Sequence, residues 1–559
     1  MRRIRSSVSF LAALPEHAAI YLRVRDLPAP ARTDPFFFGG VKSEVLLMIQ
    51  IHHLTLSHRK DLRPLLTDFS LTLHPGDKAV IVGEEGNGKS TLLKWIYDPA
   101  LIDGYAEGQG QRILQGETLG YLPQELPEAE RKTRVCDYFN SPESFRDRDP
   151  AALSRLAARL RLPAELFCSP RPMETLSGGE KVKLQMARLL MARPDVWLLD
   201  EPSNDIDVDT LEWMEDFIRQ CRGIVLFISH DETLIEAAAN RVILLEQLRR
   251  KTASRWTVAN VPFRQFMAER SAGFDRQAQL AQSERREERI ALEKFRRIQQ
   301  KVEHQQNAIS RQDPHGGRLL KKKMASVKAV ERRYRREHQQ MTEYPEQELA
   351  ILVKFHGEQA VPPGKVVLDL ALPELRRPDG AVLARNVNLT VQGPEKICLT
   401  GANGAGKTTL LRQILALLEQ RPDLQVCYMP QNYEDLLELD ETPIDYLAPS
   451  GHKDDVTVVR TYLGSLRYTP DEMSHAIREL SGGQKAKLLL LKMSLSGANV
   501  LLLDEPTRNF SPLSGPEVRA LLRSFPGAII SVSHDRKYLA EVADKVYALT
   551  ADGLQIIYS

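Results

Sequence analysis

Residues 83–90 read Gly-Glu-Glu-Gly-Asn-Gly-Lys-Ser, and residues 401–408 read Gly-Ala-Asn-Gly-Ala-Gly-Lys-Thr. Both stretches fit the phosphate-loop pattern, in which a glycine is followed by four residues and then by Gly-Lys-Ser or Gly-Lys-Thr. Each stretch follows an apolar run, at 79–82 and at 397–400, so each predicts a strand, a glycine-rich loop and a helix. The N–H groups of such a loop and the positive end of the helix favour a bound phosphate.

Four further motifs follow each phosphate loop in the same order. The first half continues with Tyr121-Leu-Pro-Gln124, Leu176-Ser-Gly-Gly-Glu180, Asp200-Glu-Pro202 and Ser229-His-Asp231, and the second half repeats them as Tyr428-Met-Pro-Gln431, Leu480-Ser-Gly-Gly-Gln484, Asp504-Glu-Pro506 and Ser533-His-Asp535. The last three motifs lie 304 residues apart in the two halves, whereas the two phosphate-loop lysines lie 318 residues apart. The sequence therefore predicts an internal duplication of about 200 residues.

Size and composition indicate a globular protein of several domains. A chain of 559 residues predicts three or four domains, and 42% apolar with 27% charged residues is typical of soluble proteins. No stretch approaches the roughly 18 apolar residues of a membrane helix, which argues against a transporter with its channel in the same chain. The five cysteines are scattered without a Cys-x-x-Cys pair, so we expect a reduced, cytoplasmic protein without structural zinc.

Four regions follow from the motifs and from the changes in composition. We expect residues 1–47 to be a poorly ordered N-terminal extension, because prolines interrupt regular structure there and Met48 opens the first strand-like run. The duplicated nucleotide-binding units are predicted at 48–245 and 346–559. Residues 246–345 are predicted to form a helical linker between the two units.

The predicted linker is strongly basic. Residues 264–342 contain 20 Lys and Arg against 10 Asp and Glu, and glycine and proline are rare outside 313–317. This pattern predicts two long helices that meet at a Pro-Gly-Gly turn, with a thin stripe of apolar residues (Phe266, Ile290, Phe295, Ile298 and Val302). One interpretation is a solvated spacer; the other is a basic arm that binds RNA.

The paired acids at 200–201 and 504–505 have the chemistry of a metal site with an adjacent base. Consecutive strand residues point to opposite faces, so both acids can reach one site only where the strand ends in a turn. The carboxylates of Asp200 and Asp504 could then hold Mg²⁺.

Together these motifs resemble the ATP-binding cassette ATPases over nearly all of 48–559 outside the linker. The resemblance implies an α/β fold with two tandem ATP-binding cassette nucleotide-binding domains joined by a long basic α-helical hairpin. It also implies that the two cassettes of one chain close head to tail around two ATP molecules with Mg²⁺, as a monomer with an internal pseudo-dimer.

Each predicted site takes residues from both halves. The resemblance assigns nucleotide binding to Gly83, Gly86, Gly88, Lys89, Ser90, Thr91 and Gln124, with Gly401, Gly404, Gly406, Lys407, Thr408, Thr409 and Gln431. It assigns the metal to Ser90, Gln124, Asp200, Thr408, Gln431 and Asp504. It assigns catalysis to Glu201 and Glu505 as general bases, and to His230 and His534 as γ-phosphate contacts. The signatures Ser177, Gly178, Gly179 and Ser481, Gly482, Gly483 would each hold the γ-phosphate of the nucleotide bound by the opposite cassette.

Two fused cassettes with a charged helical linker resemble the ABC-F proteins in particular, which are ATPases that act on ribosomes. The resemblance implies that the linker enters the tRNA exit site and contacts large-subunit rRNA and the P-site tRNA. Two features narrow the resemblance to the antibiotic-resistance branch of the ABC-F proteins, which protects ribosomes from lincosamides, pleuromutilins and streptogramin A. These features are the run Asn509-Phe-Ser-Pro-Leu513, and the similar spacing of 53 and 50 residues from the motif glutamine to the signature serine in the two halves, so that the first cassette carries no large extra arm.

Two departures from the family pattern concern the nucleotide sites. The first cassette offers His58 where the family stacks an aromatic ring on adenine, and the second offers no ring. The second cassette has Ser511 where the family has an aspartate, whereas the first keeps Asp205 and Asp207. We therefore expect the two sites to hydrolyse ATP at different rates.

Three alternatives remain open on sequence alone. The first is a general ABC-F translation factor without a drug role. The second is a nucleotide-gated DNA-binding clamp, which the lack of the C-terminal coiled coil of some DNA-associated relatives and of zinc motifs disfavours. The third is the detached ATPase of a membrane transporter, in which a basic linker has no evident use.

Overall fold

A computed structural model describes residues 48–60, 62–140, 150–203, 206, 208–248, 253–308, 314–337, 360–377, 380–466 and 468–558. The predicted N-terminal extension at 1–47 lies outside these residues. The described chain divides into two compact units, of which one contains both cassettes and the other lies within 264–348.

The first cassette is built on a six-stranded sheet. The cassette as a whole contains nine described strands, which form this sheet and a smaller one. They are β1 (Ile49–His58), β2 (Pro64–Leu73), β3 (Lys78–Val82), β4 (Ala106–Ile113), β5 (Leu119–Leu122), β6 (Val196–Asp200), β7 (Ile224–Ile228), β8 (Arg241–Leu248) and β9 (Ala253–Ala259). The large sheet has the order β5-β6-β7-β3-β8-β9, and β2-β1-β4 form a separate antiparallel sheet. Every residue of β3, β6 and β7 is buried, as expected for parallel strands covered on both faces.

The second cassette repeats this arrangement. Its strands are β10 (Val366–Arg376), β11 (Val382–Gln392), β12 (Lys396–Thr400), β13 (Val426–Met429), β14 (Val500–Asp504), β15 (Ala528–Val532), β16 (Lys545–Thr550) and β17 (Gly553–Tyr558). The order β13-β14-β15-β12-β16-β17 matches that of the first sheet strand for strand. The duplication predicted from the motifs is therefore a duplication of the fold.

Helices pack on the sheets and carry most of the functional motifs. They are α1 (Lys89–Tyr97), α2 (Glu128–Arg131), α3 (Val135–Asn140), α4 (Pro150–Leu160), α5 (Gly178–Ala192), α6 (Val208–Gln220), α7 (Glu232–Ala238), α8 (Phe263–Ala308), α9 (Pro314–Glu337), α10 (Lys407–Leu418), α11 (Pro443–Leu447), α12 (Lys453–Ser465), α13 (Pro470–Ser474), α14 (Gly482–Leu495), α15 (Gly515–Arg523) and α16 (Arg536–Glu541). Among the described residues, no helix combines the length and apolar character needed to cross a membrane.

The first cassette extends beyond its predicted end at 245. Strand β9 pairs antiparallel with β8, and the Trp256 ring packs edge-on against Phe69 with ring centroids 5.3 Å apart. The Trp256 indole also donates a hydrogen bond to the Thr67 carbonyl at 3.2 Å. Strand β9 therefore lies with the first cassette, beyond the boundary predicted at 245, because Trp256 and Val258 pack against the core of that cassette.

The linker forms two long helices, as the sequence predicts, although the turn differs. Helix α9 begins at Pro314, because the fixed φ of proline is compatible with the first position of a helix. The Gly-Gly pair that was predicted to form the turn therefore lies within the first turn of α9. Phe295 on α8 contacts Tyr334 on α9 with ring centroids 5.8 Å apart. The apolar stripe is thinner than expected, because Ile290 and Ile298 are 56% and 40% exposed.

The two cassettes meet at an inter-cassette charge cluster, defined here as Glu215, Glu232 and Glu236 of the first cassette with Arg519, Arg536 and Lys537 of the second. Arg519 binds both carboxylate oxygens of Glu232 at 2.7 and 3.2 Å, and these side chains are only 3% and 7% exposed. Lys537 binds Glu236 at 2.6 Å, and Arg536 binds Glu215. Each of these pairs across the interface joins an acid of the first half to a base of the second half.

Burial distinguishes Arg519 from the neighbouring Arg523 on α15. Although burial alone would lower the pKa of the Arg519 guanidinium, its hydrogen bonds to Glu232 and Glu541 raise it. Arg523 pairs with Asp544 across a half-exposed surface. The two arginines therefore form a matched pair for testing the charge cluster.

Replacing Arg519 with methionine should lower the free energy of unfolding by about 3 kcal/mol, because Glu232 stays buried with part of its charge uncompensated. The Arg523→Met control should cost less than about 1 kcal/mol. Urea unfolding followed by tryptophan fluorescence measures both. Equal effects of the two variants would contradict a structural role for the charge cluster.

The Phe295→Ala variant should loosen the helical hairpin, since the aromatic pair contributes roughly 0.5–1.5 kcal/mol beyond burial. Hydrogen exchange of amides near Phe295 and Tyr334 should become faster, whereas Ile290→Ala should have little effect because that side chain is exposed. Identical exchange in both variants would show that the contact does not hold the helices together.

Candidate functional site

Each phosphate loop turns on glycines with left-handed backbone angles immediately before a helix. Gly88 has φ of +85° before α1, and Gly406 has φ of +100° before α10. A β-carbon at Gly406 would lie 2.7 Å from the Leu383 side chain, so that position has neither the torsion nor the space for another residue. The helices therefore begin where the loop N–H groups converge.

The phosphate-loop lysines fold back over their own loops. Lys89 Nζ donates to the carbonyls of Gly83 and Glu84 at 2.9 and 3.1 Å, and Lys407 Nζ donates to Gly401 and Ala402 at 2.8 and 3.0 Å. Burial lowers the pKa of Lys89. Each ammonium thus lies at the centre of the loop that a phosphate would enter.

A hydroxyl and a carboxylate meet at the end of each phosphate loop. Ser90 Oγ donates to Asp200 at 2.9 Å, and Thr408 Oγ1 donates to Asp504 at 2.8 Å. Burial raises the pKa of Asp200 to about 6, because it disfavours the charged carboxylate. A bound cation would stabilise that charge. These hard oxygen donors suit Mg²⁺, so the predicted metal residues fit the ion chemically.

The two glutamates leave their strands through an unusual backbone angle. Asp200 and Asp504 are the last residues of β6 and β14, and the next residues, Glu201 and Glu505, have φ of +49° and +53°. This left-handed turn brings consecutive carboxylates to one site, as the strand-end argument requires. Burial raises the pKa of Glu505 to about 8.

Glu201 contacts both Gln124 and His230, the two residues predicted to lie around the reacting phosphate. Gln124 Nε2 donates to Glu201 at 3.1 Å, and His230 Nε2 lies 3.0 Å from its other oxygen. In the second cassette the contact is looser, since His534 Nε2 lies 3.9 Å from Glu505.

His230 also crosses to the second cassette. Its Nδ1 lies 2.8 Å from the Phe510 carbonyl, so Nδ1–H donates there. Both ring nitrogens therefore face oxygen atoms, one from each cassette. The residue predicted to contact γ-phosphate therefore also contacts the opposite cassette.

The signature motifs begin helices in both cassettes. Ser177 and Ser481 are the N-cap residues of α5 and α14, and each forms a reciprocal capping box with Glu180 or Gln484. The cap leaves the glycine N–H groups of the first turn directed outward along the helix axis.

The predicted second site forms one cavity between the cassettes, with a volume of about 640 Å³. Its lining includes Lys407, Thr408, Gln431, Asp504, Glu505 and His534 with Ser177 of the opposite signature, whereas the predicted Gly401 and Gly179 are not among the lining residues. Gly178, Gly404, Gly406 and Thr409 also line the cavity. Its size falls within the range of ordinary ligand sites.

At the predicted first site, a side chain of the first phosphate loop contacts the signature of the second cassette directly. The Glu85 carboxylate accepts hydrogen bonds from the N–H groups of Gly482, at 3.2 Å, and Gly483. The cavity beside this contact is about 30 Å³ and is lined by Glu84, Glu85 and Ser481 among others. Ser90, Gln124, Asp200, Glu201 and His230 remain connected as described above.

Several site residues were missed by the sequence argument. Tyr121 lies within a quoted motif, yet only the structure reveals that its hydroxyl donates to Asp200 at 3.1 Å. Arg377 lines the second cavity, where no aromatic ring was found in the sequence. Asp205 and Asp207 lie outside the described residues, and Ser511 is buried with its hydroxyl accepting from Leu513 N–H at 3.1 Å.

Comparisons with known proteins agree with this geometry. A family model described as "ABC transporter" matches residues 66–204 and 384–508. The ATP-binding protein Uup of Escherichia coli strain K12 is 27% identical over 551 residues, covering 90% of this chain and 81% of that protein. The putative ATP-binding protein YdiF of Bacillus subtilis strain 168 is 26% identical and covers 91% and 81%.

Solved structures share the paired-cassette fold. The archaeal ribosome recycling factor aABCE1, solved with the ribosomal stalk protein aP1, aligns with a TM-score of 0.54 at 16% identity over 91% of this chain and 90% of that one. RNase-L inhibitor aligns with a TM-score of 0.51, also at 16% identity, over 90% of each chain. The duplicated motifs, the duplicated sheets and these matches together show two tandem cassettes in one chain that are similar to the ABC transporter model and to the ATP-binding proteins Uup and YdiF.

Proposed function

We propose that this ATPase binds ribosomes in its ATP-bound form and uses the helical hairpin of α8 and α9 to contact RNA. The observation that carries the proposal is the basic surface of the hairpin. Lys321, Lys322 and Lys323 are all exposed, and the region around them has a local charge of +10 in a chain whose net charge is +2. Such an excess favours a polyphosphate partner, because neutralising phosphates releases their counterions.

The two cassettes would supply the switch. ATP at the second site would touch the phosphate loop of one cassette and the signature of the other, so its γ-phosphate would favour the closed state. Hydrolysis would remove those interactions and allow the cassettes to separate. Because both cassettes belong to one chain, closure requires no second copy, and we propose a cytoplasmic monomer with an internal pseudo-dimer.

The residues at each site suit hydrolysis by direct attack of water. Glu201 or Glu505 would accept a proton as water attacks the γ-phosphorus and the bond to the leaving ADP oxygen breaks. His230 or His534 and the opposite signature would hold the γ-phosphate oxygens. Mg²⁺ bound at Ser90 and Asp200, or at Thr408 and Asp504, would neutralise charge on the phosphates.

The RNA targets proposed from the family resemblance are large-subunit rRNA and the P-site tRNA at the tRNA exit site. The structural neighbour aABCE1 is a ribosome recycling factor, which supports a ribosomal target by analogy of fold. The DNA-clamp alternative shares the same electrostatics, so the experiment must offer both nucleic acids.

The Glu201→Gln and Glu505→Gln double variant should sediment with 70S ribosomes in the presence of ATP, because the amides remove the base while preserving closure. The chain with Lys89→Ala and Lys407→Ala should remain in the supernatant, since it cannot hold the phosphates. Pelleting with DNA fragments but not with ribosomes would favour the clamp, and pelleting with neither would refute the proposal.

Replacing Lys321, Lys322 and Lys323 with alanine should make ribosome affinity less dependent on salt. The slope of the logarithm of the binding constant against the logarithm of the salt concentration should become shallower by roughly 0.7–0.9 for each phosphate that a lysine no longer neutralises. Lys453→Ala, at an exposed lysine of the second cassette, is the control and should leave the slope unchanged. An unchanged slope in the triple variant would mean that these lysines face solvent in the complex.

We further propose that ribosome binding protects against drugs of the peptidyl-transferase centre. The features that favour this are the run at 509–513 and the similar motif spacing in the two cassettes. Expression in a susceptible host should raise inhibitory concentrations of lincosamides, pleuromutilins or streptogramin A, and the double glutamine variant should not. Unchanged values for all three classes would leave the general translation factor as the better description.

A further inference from the structure

The two phosphate loops differ in charge at the positions that face the opposite cassette. The first loop has Glu84 and Glu85 where the second has Ala402 and Asn403. Apart from these positions the loops share the glycines and lysine of the motif. An acidic pair is unexpected in a loop whose purpose is to surround a polyphosphate.

Both acids contact helix α14 of the second cassette. The carboxylate of Glu85 bridges the N–H groups of Gly482 and Gly483 in the first turn, and Lys487 on the same helix lies 3.3 Å from Glu84. A β-carbon added at Gly483 would lie 2.9 Å from the Glu85 carboxylate and 2.9 Å from the Asn509 carbonyl. The anion is therefore closely enclosed.

These N–H groups are the ones assigned above to the γ-phosphate of the nucleotide on the first cassette. Helix N-termini bind carboxylates and phosphates by the same N–H groups and dipole, and two anions cannot share them without strong repulsion. At the second site Gly178, the counterpart of Gly482, lines the 640 Å³ cavity together with Ser177, whereas the space beside Glu85 is about 30 Å³. At the first site a carboxylate thus occupies the signature N–H groups that are assigned to the γ-phosphate.

We propose that Glu85 is an internal substitute for the γ-phosphate, which ATP must displace from the signature of the second cassette before the first site can close on it. ATP then binds the second site first and the first site only when Glu85 swings away. The contact also holds the signature near the first loop before ATP arrives. This inference rests on the composite sites assigned under the proposed function.

A purely structural role makes the opposite prediction. If Glu85 only fastens the cassettes together, removing its charge weakens their association and lowers ATP affinity at the first site. If it competes with phosphate, removing its charge raises that affinity. The sign of the change therefore separates the two roles.

The experiment measures mant-ATP binding with Mg²⁺ in a chain carrying Lys407→Ala, so that only the first site reports. In that background Glu85→Asn, which copies the second loop, should tighten binding at least about tenfold, given the charge repulsion relieved. Glu85→Gln keeps the side-chain length and should act in the same direction if the asparagine variant folds poorly. Glu128→Gln, at an exposed acid of the same cassette, is the control and should leave affinity unchanged.

The reciprocal variant tests the second loop. In a Lys89→Ala background, Asn403→Glu should weaken mant-ATP binding by a similar factor, because it places a carboxylate opposite the first signature. Unchanged or weaker binding in both Glu85 variants would overturn the inference. If instead Lys89→Ala with Lys407→Ala still bound two nucleotides, the site assignment itself would be wrong, which is a separate outcome.

Discussion

The central constraint is that each anion site is divided between two cassettes. A phosphate loop offers N–H groups and a lysine, but the N–H groups of a signature helix lie on the other half of the chain. Because a triphosphate at such a site would touch both halves, we propose that nucleotide binding and cassette closure are coupled. The duplicated sheets bring two such half-sites into one chain, and the inter-cassette charge cluster sets how the halves meet.

Duplication has been followed by divergence in charge. The buried Glu232–Arg519 pair has an acid from the first half and a base from the second, so a half cannot pair equally well with its own copy. Glu85 against Gly482 and Gly483 is a second unequal contact, and His230 against the Phe510 carbonyl is a third. Sites built from the same motifs are therefore chemically different, and we propose that this difference gives the ATP cycle an order that a symmetric dimer lacks.

Sequence was most informative where local chemistry is repeated. The motif order predicted two α/β cassettes, the strand-end acids and several of the residues that line the second cavity, because each depends on short segments with fixed backbone requirements. It failed where contacts join distant segments. Trp256 extends the first sheet through packing on Phe69, and Glu85 occupied an unrestricted position of its motif. The Phe510 carbonyl carries no side-chain signal, so its contact with His230 appears only after the halves dock.

The most direct test of the divided sites is photocleavage by ADP–vanadate, which cuts the backbone next to the γ-phosphate position. The account predicts cuts in each phosphate loop and also in the signature of the opposite cassette, near Ser177 and Ser481. Cuts confined to the phosphate loops would mean that the signatures do not touch bound nucleotide, and the coupling of ATP to cassette closure described here would then be wrong.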